Sequence, residues 1–89
     1  MSRYGIRYSS RARRALTSTL PESIAAAAYE LITGALSENP QRRGKQLSEP
    51  LYPLYSARRG EYRVIYRIKE DHQLIEILST DHRRDAYRL

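Results

Sequence analysis

The side chains best suited to chemistry in this sequence are cationic and gather towards its C-terminal half: Arg58, Arg59, Arg63 and Arg67, then His82, Arg83, Arg84 and Tyr87. A guanidinium grips phosphate in two-point fashion and stacks on bases, which an ammonium does not do. RNA can be cleaved without a metal when its own 2′-hydroxyl attacks the adjacent phosphorus. That reaction needs charge stabilised on a pentacoordinate phosphorus, a proton taken from the 2′-hydroxyl and one given to the leaving 5′-oxygen. Arginines meet the first need and serve the other two poorly, because their pKa lies above about 12. Such a site gains from a partner that holds the RNA in line, since orientation alone is worth several kcal/mol.

Other chemistries find less support. His72 falls in an expected hairpin turn and His82 at the far end of the following strand; at roughly 3.3 Å per residue more than about 20 Å separates them, so one phosphate cannot touch both. No carboxylate spacing around either histidine suggests a metal site. Neither a Ser-His-Asp or Cys-His context nor a glycine-rich phosphate loop is present, and no cofactor is expected.

Composition agrees with a polyanionic partner. The 89 residues carry 16 Lys and Arg against 10 Asp and Glu, a net charge of +6, and only Lys45 and Lys69 are lysines. A GC-rich genome would produce the same excess of arginine, so the ratio alone leaves both explanations standing. Residues 1–20 hold five arginines and no acid, 42–69 hold eight cations and two glutamates, and the stretch between them is neutral to acidic. With no cysteine, disulfides and thiolate metal sites are excluded and a cytoplasmic setting is expected. The longest apolar run, Ile24 to Tyr29, is far short of the roughly 20 residues that span a bilayer, and no membrane partner is expected. The length suits one domain over residues 1–89 with one modest core.

The elements that must position these groups follow from periodicity. Arg3 to Tyr8 alternates as a short strand. Ser9 or Ser10 caps a first helix with Ala12, Ala15 and Leu16 on one face and Arg11, Arg13 and Arg14 largely on the other, and Thr17-Ser18-Thr19 loosens it. Pro21 opens a second helix, amphipathic through Ile24, Ala27, Ala28, Leu31, Ala35 and Leu36, which Asn39 stops before Pro40. Residues 41–53, with the cations Arg42, Arg43 and Lys45, read as a surface loop. Leu54–Arg58, Tyr62–Ile68 and Leu74–Thr80 read as three strands with turns at Arg59-Gly60-Glu61 and at 69–73, hence an antiparallel meander. The expected architecture is α+β: strand, helix, helix, then three strands, with both helices on one sheet face. In the middle strand Tyr62, Val64, Tyr66 and Ile68 point to the core, leaving Arg63, Ile65 and Arg67 on an uncovered cationic face.

The run Gly60-Glu61-Tyr62-Arg63-Val64-Ile65-Tyr66-Arg67-Ile68, then Ile75-Glu76-Ile77-Leu78, then His82-Arg83-Arg84-Asp85-Ala86-Tyr87-Arg88, closely resembles the RelE family of bacterial toxins. Ser9, Ala12 and Leu16 in the first helix and the Asn39-Pro40 break are also similar. The resemblance implies a RelE-like fold and a ribosome-dependent mRNA interferase of a type II toxin–antitoxin system. It implies that Arg63 stabilises the scissile phosphate, that Arg83 stabilises charge or acts as general acid, that Tyr87 stacks on a base or orients the 2′-hydroxyl, and that His82 takes part in proton transfer. Arg58, Arg59, Arg67 and Arg84, with Arg42, Arg43 and Lys45, would contact RNA. The implied partners are the ribosome, mRNA and a RelB-like antitoxin in a heterotetramer, with operator DNA reached only through that complex. Family members carry two lysines on the strand before the glycine turn; here Leu54 and Ser56 stand in those places, which leaves the general base unassigned among Arg58, Arg59 and His82. Two other readings stay open: a ParE-like inhibitor of DNA gyrase with the same fold and no nuclease chemistry, and a non-catalytic basic RNA-binding domain.

Overall fold

In the computed structural model, residues 3–82 are described. β1 (Gly5–Tyr8) leads into α1 (Ser10–Arg14), which widens into a π-helical turn over Ala15–Thr19. The Ser9 hydroxyl accepts from the Ala12 amide at 3.0 Å, satisfying one of the amides a helix start leaves over. The widening falls on the Thr-Ser-Thr run, where the Thr17 hydroxyl donates to the Arg13 carbonyl at 2.8 Å. α2 (Glu22–Leu31) starts after Pro21 and ends in a second π turn, Ile32–Leu36. None of these helices is long and apolar enough to cross a membrane.

The segment expected to be a loop is partly ordered into regular elements. α3 (Pro40–Arg43) begins at the proline, and Lys45–Gln46 form a two-residue strand, β2, paired antiparallel to β3 (Tyr55–Arg59). β4 (Tyr62–Lys69) and β5 (Leu74–His82) complete the expected meander. β1 adds parallel to the far side of β5, so the five-stranded order is β1-β5-β4-β3-β2. Arg59 belongs to β3, and the hairpin loop is only Gly60-Glu61. Its positive φ lies at Gly60 (60°) and not at Glu61, the requirement of a type II′ turn.

The helices pack on one face of this sheet. Ala12, Ala28, Leu31, Ile32 and Leu36 meet Val64, Tyr66, Ile75 and Ile77, all at 5% exposure or less. Two tyrosines tie the layers together. Tyr62 donates to the Ala27 carbonyl at 3.1 Å, joining β4 to α2, and Tyr66 donates to the Pro40 carbonyl at 2.6 Å, joining β4 to α3. The Tyr66 ring stacks on Tyr55 of the neighbouring strand, with centroids 5.6 Å apart. Gly44 lies so close over the Tyr66 hydroxyl that a Cβ there would fall 2.1 Å from it. Burial pushes the Tyr66 phenol well above its ordinary value of 10.0, and the Tyr62 and Tyr8 phenols are raised mainly for the same reason.

The plain alternation expected of the last strand is broken. Ile65 lies opposite Ser79 and Tyr66 opposite Ile77, so Leu78 is an extra residue, a β-bulge. The Ser9 hydroxyl that caps α1 also donates to the Leu78 carbonyl at 2.7 Å, pinning it. Before the bulge Ile75 and Ile77 face the helices; after it Thr80 does, and Asp81 is turned to the open face opposite Arg63.

Replacing Tyr66 by Phe keeps the ring and removes the donor to a buried carbonyl. We expect a loss of about 1–2 kcal/mol, lowering Tm by roughly 4–8 °C per kcal/mol in thermal melts followed by circular dichroism. Because the folded phenols titrate above the unfolded value of 10.0, stability is fully present below pH 10 and falls as pH rises past it. The decline should be shallower in Tyr66→Phe; an identical alkaline limb would remove Tyr66 as its principal source.

Candidate nucleic-acid interface

Residues directly opposite each other across an antiparallel ladder share a face. The open face of the sheet is therefore fixed by the register. Lys45 pairs with Ser56, Ser56 with Ile65, Arg58 with Arg63, Arg63 with Asp81 and Arg67 with Glu76. Charge along this face divides into two ends.

At one end Glu76 sits between two cations, 3.8 Å from both Arg7 and Arg67. This carboxylate compensates part of their charge, and Arg67 stands four residues along β4 from Arg63, about 13 Å. At the other end a groove of about 500 Å³ opens between the α3–β2 connection and the sheet. Arg43 and Lys45 form one side, Arg58 and Arg63 the other, and Ser56 lies between them. The described lining contains four cations and no carboxylate. Asp81, opposite Arg63, pairs with Arg11 at 3.8 Å. Like charges held this close repel one another, and a polyanion relieves that repulsion while releasing its own counterions.

Of the residues singled out by sequence, the structure brings together Arg43, Lys45, Arg58 and Arg63. It separates Arg59 and His82 from them. Arg59 and His82 are both opposite Tyr62, which points to the helices, so they lie on the other side of the sheet end. There the His82 Nε2 is 3.5 Å from the Glu61 carboxylate, and the Arg59 charge offsets part of the rise that burial imposes on the Tyr62 phenol. Arg42 is exposed on α3 and does not line the groove. Arg83, Arg84 and Tyr87 lie outside the described residues. Sequence reasoning missed the pairing of Lys45 with Ser56 and the turn of Asp81 towards Arg63; the glycine before Lys45, placed over Tyr66, is the one local signal of the first.

Comparison with known proteins identifies the family and agrees with the fold. The family model described as the ParE toxin of the type II toxin–antitoxin system parDE matches residues 6–87. The chain is 47% identical over 85 residues to Toxin RelG of Mycobacterium tuberculosis, covering 96% of this chain and 97% of that protein. It is 49% identical over 70 residues to Toxin RelE of the same organism, covering 79% and 72% respectively. The crystal structure of the toxin–antitoxin complex RelBE2 from M. tuberculosis contains a chain that superimposes with a TM-score of 0.87 at 46% identity, covering 96% of this chain and 97% of that one.

The charge division along the open face yields a binding prediction. Titrating a fluorescent single-stranded oligonucleotide over a salt series should give a log K against log salt slope that flattens by about 0.7 for each phosphate-contacting cation removed. Arg58→Ala and Arg63→Ala should each show that change. Arg67→Ala, whose charge Glu76 partly compensates, should show much less; equal slopes for all three would place the ligand along the whole face.

Proposed function

Because the chain belongs to the RelE/ParE family of type II toxin–antitoxin toxins, we propose that it is the RelE-type member of a toxin–antitoxin pair and cleaves mRNA in the ribosomal A site. The observation that carries this reading is the groove in which Arg58 and Arg63, directly opposite on β3 and β4, face Arg43 and Lys45. A backbone phosphate seated there meets guanidiniums already in place, so charge developing at phosphorus is stabilised without reorganisation. Attack by the 2′-hydroxyl gives a 2′,3′-cyclic phosphate and a 5′-hydroxyl end, a route that requires no metal. Arg63 stabilises the phosphorane. Arg83 and Tyr87 keep the roles that the RelE resemblance gives them, charge stabilisation or proton donation and base stacking. The ribosome supplies the in-line geometry that the groove alone does not impose.

The same reading assigns a RelB-like antitoxin as partner. The similar M. tuberculosis chain was solved with its antitoxin. Here an apolar groove between α1 and α2, with Leu16, Ala25 and a half-exposed Tyr29 (54%), suits the apolar side of an amphipathic antitoxin segment whose acidic residues reach the arginines. A heterotetramer acting on operator DNA through the antitoxin, within the cytoplasm, completes the proposal.

Because the matching family model carries the ParE description, gyrase inhibition is the reading to test beside it. Primer extension on mRNA from cells expressing the chain should reveal discrete breaks within codons, while a supercoiling assay with purified gyrase should be unaffected. Arg63→Ala should slow cleavage by about 10²–10³-fold, the effect of removing one preorganised charge-stabilising donor, and relieve growth inhibition. Intact mRNA together with accumulated cleaved DNA would overturn the nuclease assignment in favour of gyrase.

A further inference from the structure

The groove's arginines hold charge but exchange protons poorly, and Leu54, just before β3, and Ser56 within it stand where the resemblance places lysines. We propose that Lys45, from the neighbouring strand β2, occupies the space of the missing β3 lysine and is the proton acceptor for the 2′-hydroxyl. The inference rests on the nuclease reading above.

Three observations converge on this residue. Lys45 is directly opposite Ser56 in the β2–β3 ladder, and cross-strand neighbours of this kind have Cβ atoms about 4.5–5.5 Å apart on one face. The small Ser56 side chain lines the groove together with Lys45, on the face where a lysine at 56 would stand. Lys45 also lines the same groove as Arg58 and Arg63, and it is the only lysine among the described lining residues. Its backbone is held in place by the adjacent Gly44, seated against the Tyr66 hydroxyl, which in turn donates to the Pro40 carbonyl. His82, the other proton-exchanging candidate, faces the helix side of the sheet beside Glu61.

In the step, the Lys45 amine takes the 2′-hydroxyl proton, the 2′-oxygen forms its bond to phosphorus and the bond from phosphorus to the 5′-oxygen breaks. The leaving 5′-oxygen takes a proton from water, and Lys45 returns its proton to solvent. The charged groups around the Lys45 amine are Arg43 from α3, Arg58 from β3 and Arg63 from β4, with the Asp81–Arg11 pair beyond Arg63.

The test is single-turnover cleavage of ribosome-bound mRNA by the full chain carrying Lys45→Ala, Lys45→Arg or Lys45→Cys. Because the chain has no cysteine, bromoethylamine converts Lys45→Cys selectively into a lysine analogue bearing a primary amine. Lys45→Ala and Lys45→Arg should both lose about 10²–10⁴-fold in rate, with ribosome binding changed only a few-fold, and alkylation of Lys45→Cys should restore at least tenfold. Wild-type rates in Lys45→Arg would show that charge alone suffices and overturn the assignment, as would an unchanged Lys45→Ala or an alkylated Lys45→Cys that gains nothing. A wild-type chain that cuts no ribosome-bound mRNA would bring down the nuclease reading and this assignment together.

Discussion

The Tyr66 hydroxyl is the point on which the basic groove hangs. It reaches from the middle strand to the Pro40 carbonyl at the start of α3, in a site with no exposure to solvent. A buried carbonyl without a donor costs about 1–3 kcal/mol, so the contact is strongly favoured over its absence. Its consequence is geometric. α3 is only four residues long and β2 only two, too short for either to be stable by its own hydrogen bonds. Both are held by what they dock on, and the first of those contacts is this phenol. Gly44 follows from the same constraint, since any side chain there would collide with the hydroxyl. One side of the groove is thus built from residues that β4 fixes through its helix-facing surface, while β4's opposite surface supplies Arg63 to the other side.

The open face shows how a strongly cationic protein keeps its charge where it is useful. Glu76 is shared between Arg7 and Arg67, and such partly exposed pairs contribute at most about 1 kcal/mol each. Their more important effect is local neutralisation: that end of the sheet no longer competes for a polyanion. Around Arg43, Lys45, Arg58 and Arg63 no carboxylate of the described lining plays this part. The bulge at Leu78 matters here, because it places Asp81 opposite Arg63, where the carboxylate also pairs with Arg11 at 3.8 Å.

Much of this was legible from residue order. The alternation Tyr62, Val64, Tyr66 against Arg63, Arg67 assigned the two faces of β4 correctly, because a half-buried strand repeats every two residues. Ser9 as cap, the loosened Thr17–Thr19 turn and the stop at Asn39 were readable because each is a local hydrogen-bonding or steric effect. What escaped was tertiary. β2 has two residues and therefore no period, and it exists only through its pairing with β3. The Leu78 bulge depends on a serine 69 positions away. Without the two-residue length of the Gly60-Glu61 turn, Arg58 and Arg59 looked equivalent; the register sends Arg58 to the groove and Arg59 to the side of Tyr62. His82 is removed from Arg63 by the same rule.

On the proposed function, this division of labour has a chemical logic. Guanidiniums bind phosphate and stabilise a phosphorane across the whole physiological pH range, but they leave the 2′-hydroxyl protonated. A groove made only of them would bind any RNA and cut almost none. Placing a single amine at its edge, on the strand least secured by backbone pairing, separates binding from turnover: the arginines recruit, and reaction waits until the RNA is bent so that its 2′-oxygen meets the amine and the phosphorus together. In the proposed reaction the ribosome would provide that alignment, and effective molarities for well-aligned groups are large enough to separate a silent complex from an active one. An antitoxin that neutralises the arginines then switches off recruitment and chemistry at once, since both draw on the same positive field.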